Sequence, residues 1–388
     1  MSNPLPILQT QLPPGVIDLG LGNPPLSLLP LDIIRSAAQK VLSQSDNSFL
    51  QYGAEQGDGY FRLALSEFLS QDYGFEVAPE TLFITTGISN ALDLLCTLFT
   101  EAGDTIFVEE PSYFLVLKIF ADHRLRVVPI ETDEDGLILE SLEEKLTRYK
   151  PKFLYTIPTH QNPSGRTLTE TRRARLIELS RQYDFLILAD EVYHLLNYSG
   201  EPPKSFGSYA HIENVISLGS FSKILAPGLR LGWIQAHANI INRLVASGLL
   251  DSGGGLNPFT SAIIREVIES GDLERNVVRL IGIYRPRLAL MDSLLREHLP
   301  AVTYSVPHGG YFFWVRLPEG IDATELRKKA QAFKADIRPG ALFSSQNGLR
   351  NYMRLCFVFH DENEIEEGIV RLKECLLMSL RGAAGRVG

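Results

Sequence analysis

One lysine in this chain sits in unusual company. The segment Ser217-Leu218-Gly219-Ser220-Phe221-Ser222-Lys223-Ile224-Leu225-Ala226-Pro227-Gly228-Leu229-Arg230-Leu231-Gly232-Trp233 places Lys223 among small and hydroxyl residues, with Arg230 seven positions later beside two glycines. A lysine taken alone is an ordinary solvated surface charge. Here Ser220 and Ser222 offer hydroxyl donors, Arg230 a forked cation, and Gly228 and Gly232 a close backbone approach, which together make an anion cradle beside a reactive amine. Two other apolar runs end in useful groups. Phe185–Ala189 is followed by Asp190-Glu191-Val192-Tyr193, a carboxylate with a phenol three residues on. Phe153–Ile157 is followed by Pro158-Thr159-His160-Gln161-Asn162-Pro163-Ser164-Gly165, a proline-bounded turn that presents an amide.

An amine, a carboxylate, a phenol and an amide around one phosphate cradle match the needs of pyridoxal 5′-phosphate. Asp190 would keep the pyridine nitrogen protonated and strengthen the electron sink. Asn162 and Tyr193 would hydrogen-bond the ring's phenolic oxygen, and Lys223 would form the Schiff base. Lys223 must be neutral to act as nucleophile or base, and a protonated ring and Arg230 close by are expected to lower its pKa.

These groups need a frame that gathers strand ends. Short β-branched runs at Leu82–Thr85, Thr105–Val108, Arg126–Ile130, Phe153–Ile157, Phe185–Ala189, Val215–Leu218 and Leu231–Gln235 predict seven strands. Between them Ser89–Thr100, Ser112–Asp122, Leu139–Tyr149 and Thr169–Tyr183 carry helical apolar spacing. Alternating strands and helices mean an α/β fold, a doubly wound, mostly parallel seven-stranded sheet over residues 45–285, with ligands beyond the strands' carboxyl ends. A smaller α+β domain follows over 286–388. It comprises the end of a long helix Asp272–His298, strands at Val302–Tyr304 and Gly309–Val315, a helix at Ala323–Phe333, a strand at Met353–Phe359 and a final helix Glu362–Leu377. Residues 1–44 carry seven prolines from Pro4 to Pro30 and read as an extended arm joined to the small domain. The tail 382–388 reads as frayed.

With 388 residues, 45% of them hydrophobic and 21% charged, disorder is excluded. Thirty-seven basic against 46 acidic residues give a net charge of −9, which argues against a nucleic-acid-binding face. Cys96, Cys356 and Cys375 have no metal or redox spacing and read as inert thiols in a reducing compartment. Neither a signal peptide nor a membrane span is expected, which places the protein in the cytoplasm.

The ordered motifs N-P-[ST]-G, D-E-x-Y and S-x-S-K-x-x-x-x-G-x-R resemble fold-type I pyridoxal-phosphate enzymes, the aspartate aminotransferase superfamily, class I/II, over essentially the whole chain. Thr-His-Gln-Asn-Pro-Ser-Gly and the Lys–Arg spacing lean toward the branch of 2-aminoadipate and broad-range aminotransferases. That branch also holds regulators with a preceding DNA-binding domain, which is not expected here because the arm begins within the first twenty residues.

The resemblance implies further roles. Gly87, Ile88, Ser89 and Asn90 open a helix whose amides face the phosphate. Relatives usually have Gly-Ser-Gln-Gln there, so the Ile88 side chain departs from the pattern. Tyr113, in Glu110-Pro111-Ser112-Tyr113, stacks on the cofactor; its alternative is a core tyrosine. Arg354 grips the substrate's α-carboxylate, and Gly22 lies close to that carboxylate. Asn162 also reaches the substrate. Tyr52, in Gln51-Tyr52-Gly53, reaches the phosphate of the neighbouring subunit, implying a homodimer with shared sites. Asn257 is a further candidate at that mouth.

Gly253-Gly254-Gly255 fits no nucleotide-binding motif and reads as a mobile loop. His160, His194 and His308 lack metal-ligand spacing and read as structural or solvated, so no metal is expected. The implied activity moves an amino group between an L-amino acid and a 2-oxo acid through the Lys223 Schiff base. Its rivals are a β-lyase, decarboxylase or racemase on the same scaffold, and a ligand-sensing protein that keeps the fold. The apolar arm Pro24–Pro30 leans toward hydrophobic or aromatic donors, with pocket arginines from other segments as the alternative.

Overall fold

The computed structural model describes residues 8–9 and 11–384, with side chains to residue 381. In chain order the strands are β1 (Ile17–Asp18), β2 (Leu82–Thr85), β3 (Thr105–Glu110), β4 (Arg126–Asp133), β5 (Gly136–Leu137), β6 (Phe153–Thr156), β7 (Leu186–Asp190), β8 (Val215–Ser220), β9 (Gly232–Ala236), β10 (Phe312–Arg316), β11 (Ala335–Asp336), β12 (Arg338–Pro339) and β13 (Tyr352–Cys356). The helices are α1 (Leu31–Leu42), α2 (Gly59–Tyr73), α3 (Ile88–Phe99), α4 (Phe114–Asp122), α5 (Leu139–Leu146), α6 (Glu170–Tyr183), α7 (Ala238–Val245), α8 (Gly248–Gly253), α9 (Pro258–Glu269), α10 (Asp272–His298), α11 (Ala323–Ala332) and α12 (Glu362–Ala384).

The large sheet runs β2-β9-β8-β7-β6-β3-β4-β5. Strands β8, β7, β6, β3 and β4 pair in parallel, while β9 lies antiparallel to both neighbours. Successive side chains on a strand point to opposite faces, so both faces of a parallel sheet need an apolar cover. Along β3, Ile106 and Val108 enter one core while Phe107 enters the other; Phe153 and Leu154 on β6 divide the same way. The chain turns from β3 outward to β4, then back across to β6, β7 and β8. The switch point therefore falls between β3 and β6, and the loops after β3, β6, β7 and β8 meet over one crevice.

Beyond this sheet, β10, β13 and β12 form an antiparallel sheet, and β1 pairs in parallel with β11. The chain's beginning is thus tied to its last quarter. Helix α10 passes residue 285 unbroken, with Pro286 inside it.

Four expectations need correction. The large sheet has eight strands, not seven, because β4 runs on to Asp133 and turns back through Glu134-Asp135 into β5. The extended arm is interrupted at α1: Pro30 stands at the N-cap, where its missing N–H costs nothing and its carbonyl accepts from Ile34 N at 3.1 Å, and the twelve residues after it contain no proline. The glycine triplet is not a mobile loop. Gly253 ends α8, Gly254 (φ +68°) donates to Leu250 O at 2.7 Å, and Gly255 donates to Gly53 O at 2.8 Å. A Cβ on Gly255 would lie 1.8 Å from Ala54 O, so close backbone approach requires glycine there. Finally, the tail expected to fray from 382 is helical to Ala384; residues 385–388, like Pro4 and Pro6, lie outside the described residues. Among the described residues no helix is long and apolar enough to cross a membrane.

Candidate active site

Lys223 follows β8 in a tight turn and is partly buried. Its Nζ donates to Gly22 O at 2.9 Å. Burial pushes its amine down to about 8, with the Arg354 charge acting the same way and Asp190 opposing. The lowering expected from the sequence is present, but its source is burial and Arg354 rather than Arg230.

Asp190 ends β7, buried, and accepts from Tyr155 Oη at 2.8 Å and Val192 N at 3.3 Å. Burial raises its carboxyl to about 6. Tyr193 is buried three residues on, its ring 5.3 Å from that of Tyr311 and 5.9 Å from that of Phe312.

Arg354 lies on β13, almost fully buried, between the rings of Phe312 (4.0 Å) and Phe343 (4.9 Å). Its Nη1 donates to Asn162 Oδ1 at 2.7 Å and its Nη2 to Gly20 O at 2.6 Å, while Nε is buried without a partner. Burial brings this guanidinium down to about 10. A Cβ on Gly22 would sit 2.7 Å from Phe312 Cζ and 3.5 Å from Arg354 Nη2, so the arm lies directly against both residues.

The anion cradle assembles at the start of α3. Gly87, at φ +92°, caps the helix, and the first helical amide bond is Ala91 N to Gly87 O at 3.1 Å. The amides of Ile88, Ser89 and Asn90 precede that bond and are left to an external acceptor. Arg230 donates to Thr86 O at 3.1 Å, and a Cβ on Gly87 would meet Arg230 Nη2 at 2.9 Å. Ser220 Oγ donates to Ser222 Oγ at 2.9 Å on the neighbouring turn. The Ile88 side chain packs toward the core and the Asn90 side chain accepts from Thr86 N at 3.2 Å, so these two contribute backbone rather than side chain. Asn257 Nδ2 donates to Arg230 O, which brings Asn257 to the cradle's rim.

Tyr113 is half-buried; burial raises its phenol, the Arg354 charge opposes this and the Asp190 charge adds to it. Tyr52 is not gathered with the others: it is 80% exposed.

Sequence reasoning missed several parts. Glu109, at the end of β3, is buried and accepts from Thr156 Oγ1 (2.9 Å), Ile157 N (3.0 Å) and Gln161 Nε2 (3.3 Å). Gln161 Nε2 also donates to Pro111 O at 2.7 Å, so this pair fastens the Asn162 turn to the Tyr113 loop. Arg173, fully buried, donates to Pro158 O and Thr159 Oγ1, both at 2.8 Å, and steadies the same turn from below. The available signal was a charged or phenolic residue, Glu109 or Tyr155, at an apolar strand's end.

A cation, hydroxyls and amides without a helical acceptor at the start of α3, with a buried carboxylate at the end of β7 and an amine after β8, are the groups that pyridoxal 5′-phosphate needs. Among the described residues no cluster of three His, Cys, Asp or Glu side chains could hold a metal ion.

The family model for aminotransferase class I and II matches residues 14–372. The chain is 39% identical over 368 residues to aromatic-amino-acid aminotransferase 1 of Thermococcus litoralis, covering 93% of this chain and 88% of that protein. It superposes on the Pyrococcus horikoshii kynurenine aminotransferase with a TM-score of 0.89 at 35% identity, covering 94% and 91% of the two chains. The α-aminoadipate aminotransferase LysN of Thermus thermophilus, solved with N-(5′-phosphopyridoxyl)-L-leucine, gives a TM-score of 0.85 at 30% identity over 95% and 94%.

Proposed function

Because the chain belongs to the class I and II aminotransferases, and so transfers amino groups with pyridoxal 5′-phosphate as cofactor, we propose that it moves them between an L-amino acid and a 2-oxo acid, with Lys223 as the working amine. The observation that carries this reading is the common anchorage of Lys223 and Arg354. They donate to Gly22 O and Gly20 O, two residues apart on one arm, so an amine and a carboxylate-binding fork stand side by side.

The cofactor supplies, when bound, an electron sink for the bonds at the substrate's Cα. Asp190 would hold the proton on its ring nitrogen, and Asn162 and Tyr193 would hold its phenolic oxygen. The ring of Tyr113 would cover one face. Gly87, Ile88, Ser89 and Asn90 with Ser220, Ser222, Arg230 and the partner subunit's Tyr52 would hold its phosphate.

Arg354 takes the substrate's α-carboxylate with its planar fork, including the unpaired Nε, and Gly22 and Asn162 border it. A carboxylate fixed at that point orients the Cα–H bond, which decides between proton loss and decarboxylation. Lys223 then holds the Cα proton at Nζ and delivers it onward; burial keeps a useful fraction of its amine neutral near pH 8. The apolar arm Pro24–Pro30 and the Thermococcus litoralis relative's name favour an aromatic or large apolar donor.

Residues 45–285 serve as the cofactor domain, and residues 1–44 with 286–388 as the small domain that brings Arg354. A homodimer suits the exposed apolar face of Leu50, Tyr52, Tyr60, Leu249 and Phe259, which α9 and the Gly53–Gly255 bridge hold together. Three buried, unpaired cysteines suit a cytoplasmic setting.

A panel of amino donors with 2-oxoglutarate, run beside Lys223→Ala, tests the reading. Equal amounts of new 2-oxo acid and new amino acid are expected. Pyruvate and ammonia formed without an acceptor would overturn transamination, and an unchanged Schiff-base absorbance in Lys223→Ala would overturn the choice of lysine.

A further inference from the structure

Tyr311 belongs to none of the motifs described above, yet it touches the working lysine twice. Fully buried at the entrance to β10, it donates from Oη to Lys223 O at 3.2 Å. Its ring centroid lies 5.4 Å from Lys223 Nζ, within the range where a ring face attracts a cation. The next carbonyl, Ile224 O, accepts from Asn276 Nδ2 on α10 at 2.8 Å. The lysine turn is therefore held from two sides, by α10 and by Tyr311. Tyr311 is itself wedged against the rings of Tyr193 (5.3 Å) and Tyr284 (5.6 Å), which leaves its ring no freedom to swing away.

We propose that Tyr311 is a positioning residue for Lys223: its hydroxyl fixes the lysine's backbone carbonyl and its ring face steadies the ammonium, so the amine occupies one place whenever it is not joined to the cofactor. The proposal rests on Lys223 being the working amine. The other charged and titratable groups that act on Lys223 are Asp190 at the end of β7 and Arg354 and Cys356 on β13. Asp190 and the ring favour the charged amine, whereas Arg354 and burial disfavour it. Weakening the ring's negative face should therefore lower the pH at which the amine becomes neutral.

The test compares wild type, Tyr311→Phe and a protein carrying pentafluorophenylalanine at position 311, which keeps the ring's shape but reverses the sign of its face. Each is converted to the amine form of the cofactor with amino donor alone, which frees Lys223. Acetylation of Lys223 by acetic anhydride is then followed against pH by peptide mass spectrometry. The midpoint is expected to fall by roughly half a pH unit or more between the Phe and the fluorinated protein. Tyr311→Phe should lower kcat about fivefold with KM within twofold, the mark of a lost hydrogen bond to the lysine turn. Coincident midpoints in the Phe and fluorinated proteins, or a raised KM with unchanged kcat in Tyr311→Phe, would overturn the proposal. Failure of the Lys223 reading looks different: Lys223→Ala would then keep the Schiff-base absorbance whatever stands at position 311.

Discussion

Asp18 and Arg338 are joined at two points, Nη1 to Oδ1 at 3.0 Å and Nη2 to Oδ2 at 2.7 Å, across 320 positions of sequence. Asp18 Oδ1 also accepts from Gly20 N at 2.9 Å, so the pair sets where the arm's next carbonyls point. Those carbonyls are the ones that Arg354 and Lys223 use.

Removing one partner leaves the other charge buried, which costs about 3–5 kcal/mol. Arg338→Ala should therefore lower the melting temperature by several degrees. It should also raise KM for the amino donor about tenfold, with a smaller fall in kcat, because the arm beside Arg354 is released. Steady-state kinetics and thermal unfolding of the same preparation check both, and an unchanged KM would mean that the arm does not need this anchor.

If Lys223 is the working amine, it draws a proton from Cα only when neutral. With its amine near 8, the single-turnover rate at saturating donor should rise about tenfold per pH unit up to pH 8 and then level off. A lysine at its ordinary value would keep the rate climbing past pH 10. In stability the sign follows from proton counts: between about 8 and 10.5 the unfolded chain holds more protons on this lysine, so folding gains as pH rises through that window.

Glu109 shifts the other way. Burial raises its carboxyl from the ordinary 4.5 to about 7, so the folded protein binds more protons than the unfolded chain between those values. Its contribution is fully present below pH 4.5 and is lost as pH rises through 7, a change on the order of 3 kcal/mol. Urea unfolding from pH 5 to 8 should show a slope in the wild type that flattens in Glu109→Gln. The same variant should weaken cofactor binding, because an amide cannot accept through both of its terminal atoms from Thr156, Ile157 and Gln161, and Gln161 holds the Asn162 turn.

If Tyr52 completes the neighbouring site, Lys223→Ala and Tyr52→Ala should complement each other. Hybrid dimers formed by mixing the two variants carry one site with both residues intact and one with neither. An equal mixture should recover about a quarter of wild-type activity, whereas each variant alone stays low. Sedimentation confirms the exchange; additive residual activities after exchange would show that each chain uses its own residues.

The frame was legible in the sequence because strands buried on both faces are continuous β-branched runs, as at Leu82–Thr85, and because α10 keeps its apolar spacing across all 27 residues despite Pro286. Lys223, Asp190, Asn162 and Arg230 could be proposed from the sequence because each stands beside a strand end. Contacts between distant segments could not be read that way. Nothing near Arg354 points to Gly20 O, 334 positions away, and nothing near Lys223 points to Tyr311. The glycine triplet misled because composition alone does not distinguish a slack glycine from one pressed against Ala54 O.

The pairing of β1 with β11 also sets an order of events during synthesis. Ile17–Asp18 is made well before its partner strand, which it finds only when Ala335–Asp336 has been made, and Asp18 waits two residues longer for Arg338. Until then the carbonyls beside Lys223 and Arg354 have no fixed place. A nascent chain can therefore fold its central sheet, a unit of shorter-range contacts, long before the reactive crevice closes over its amine.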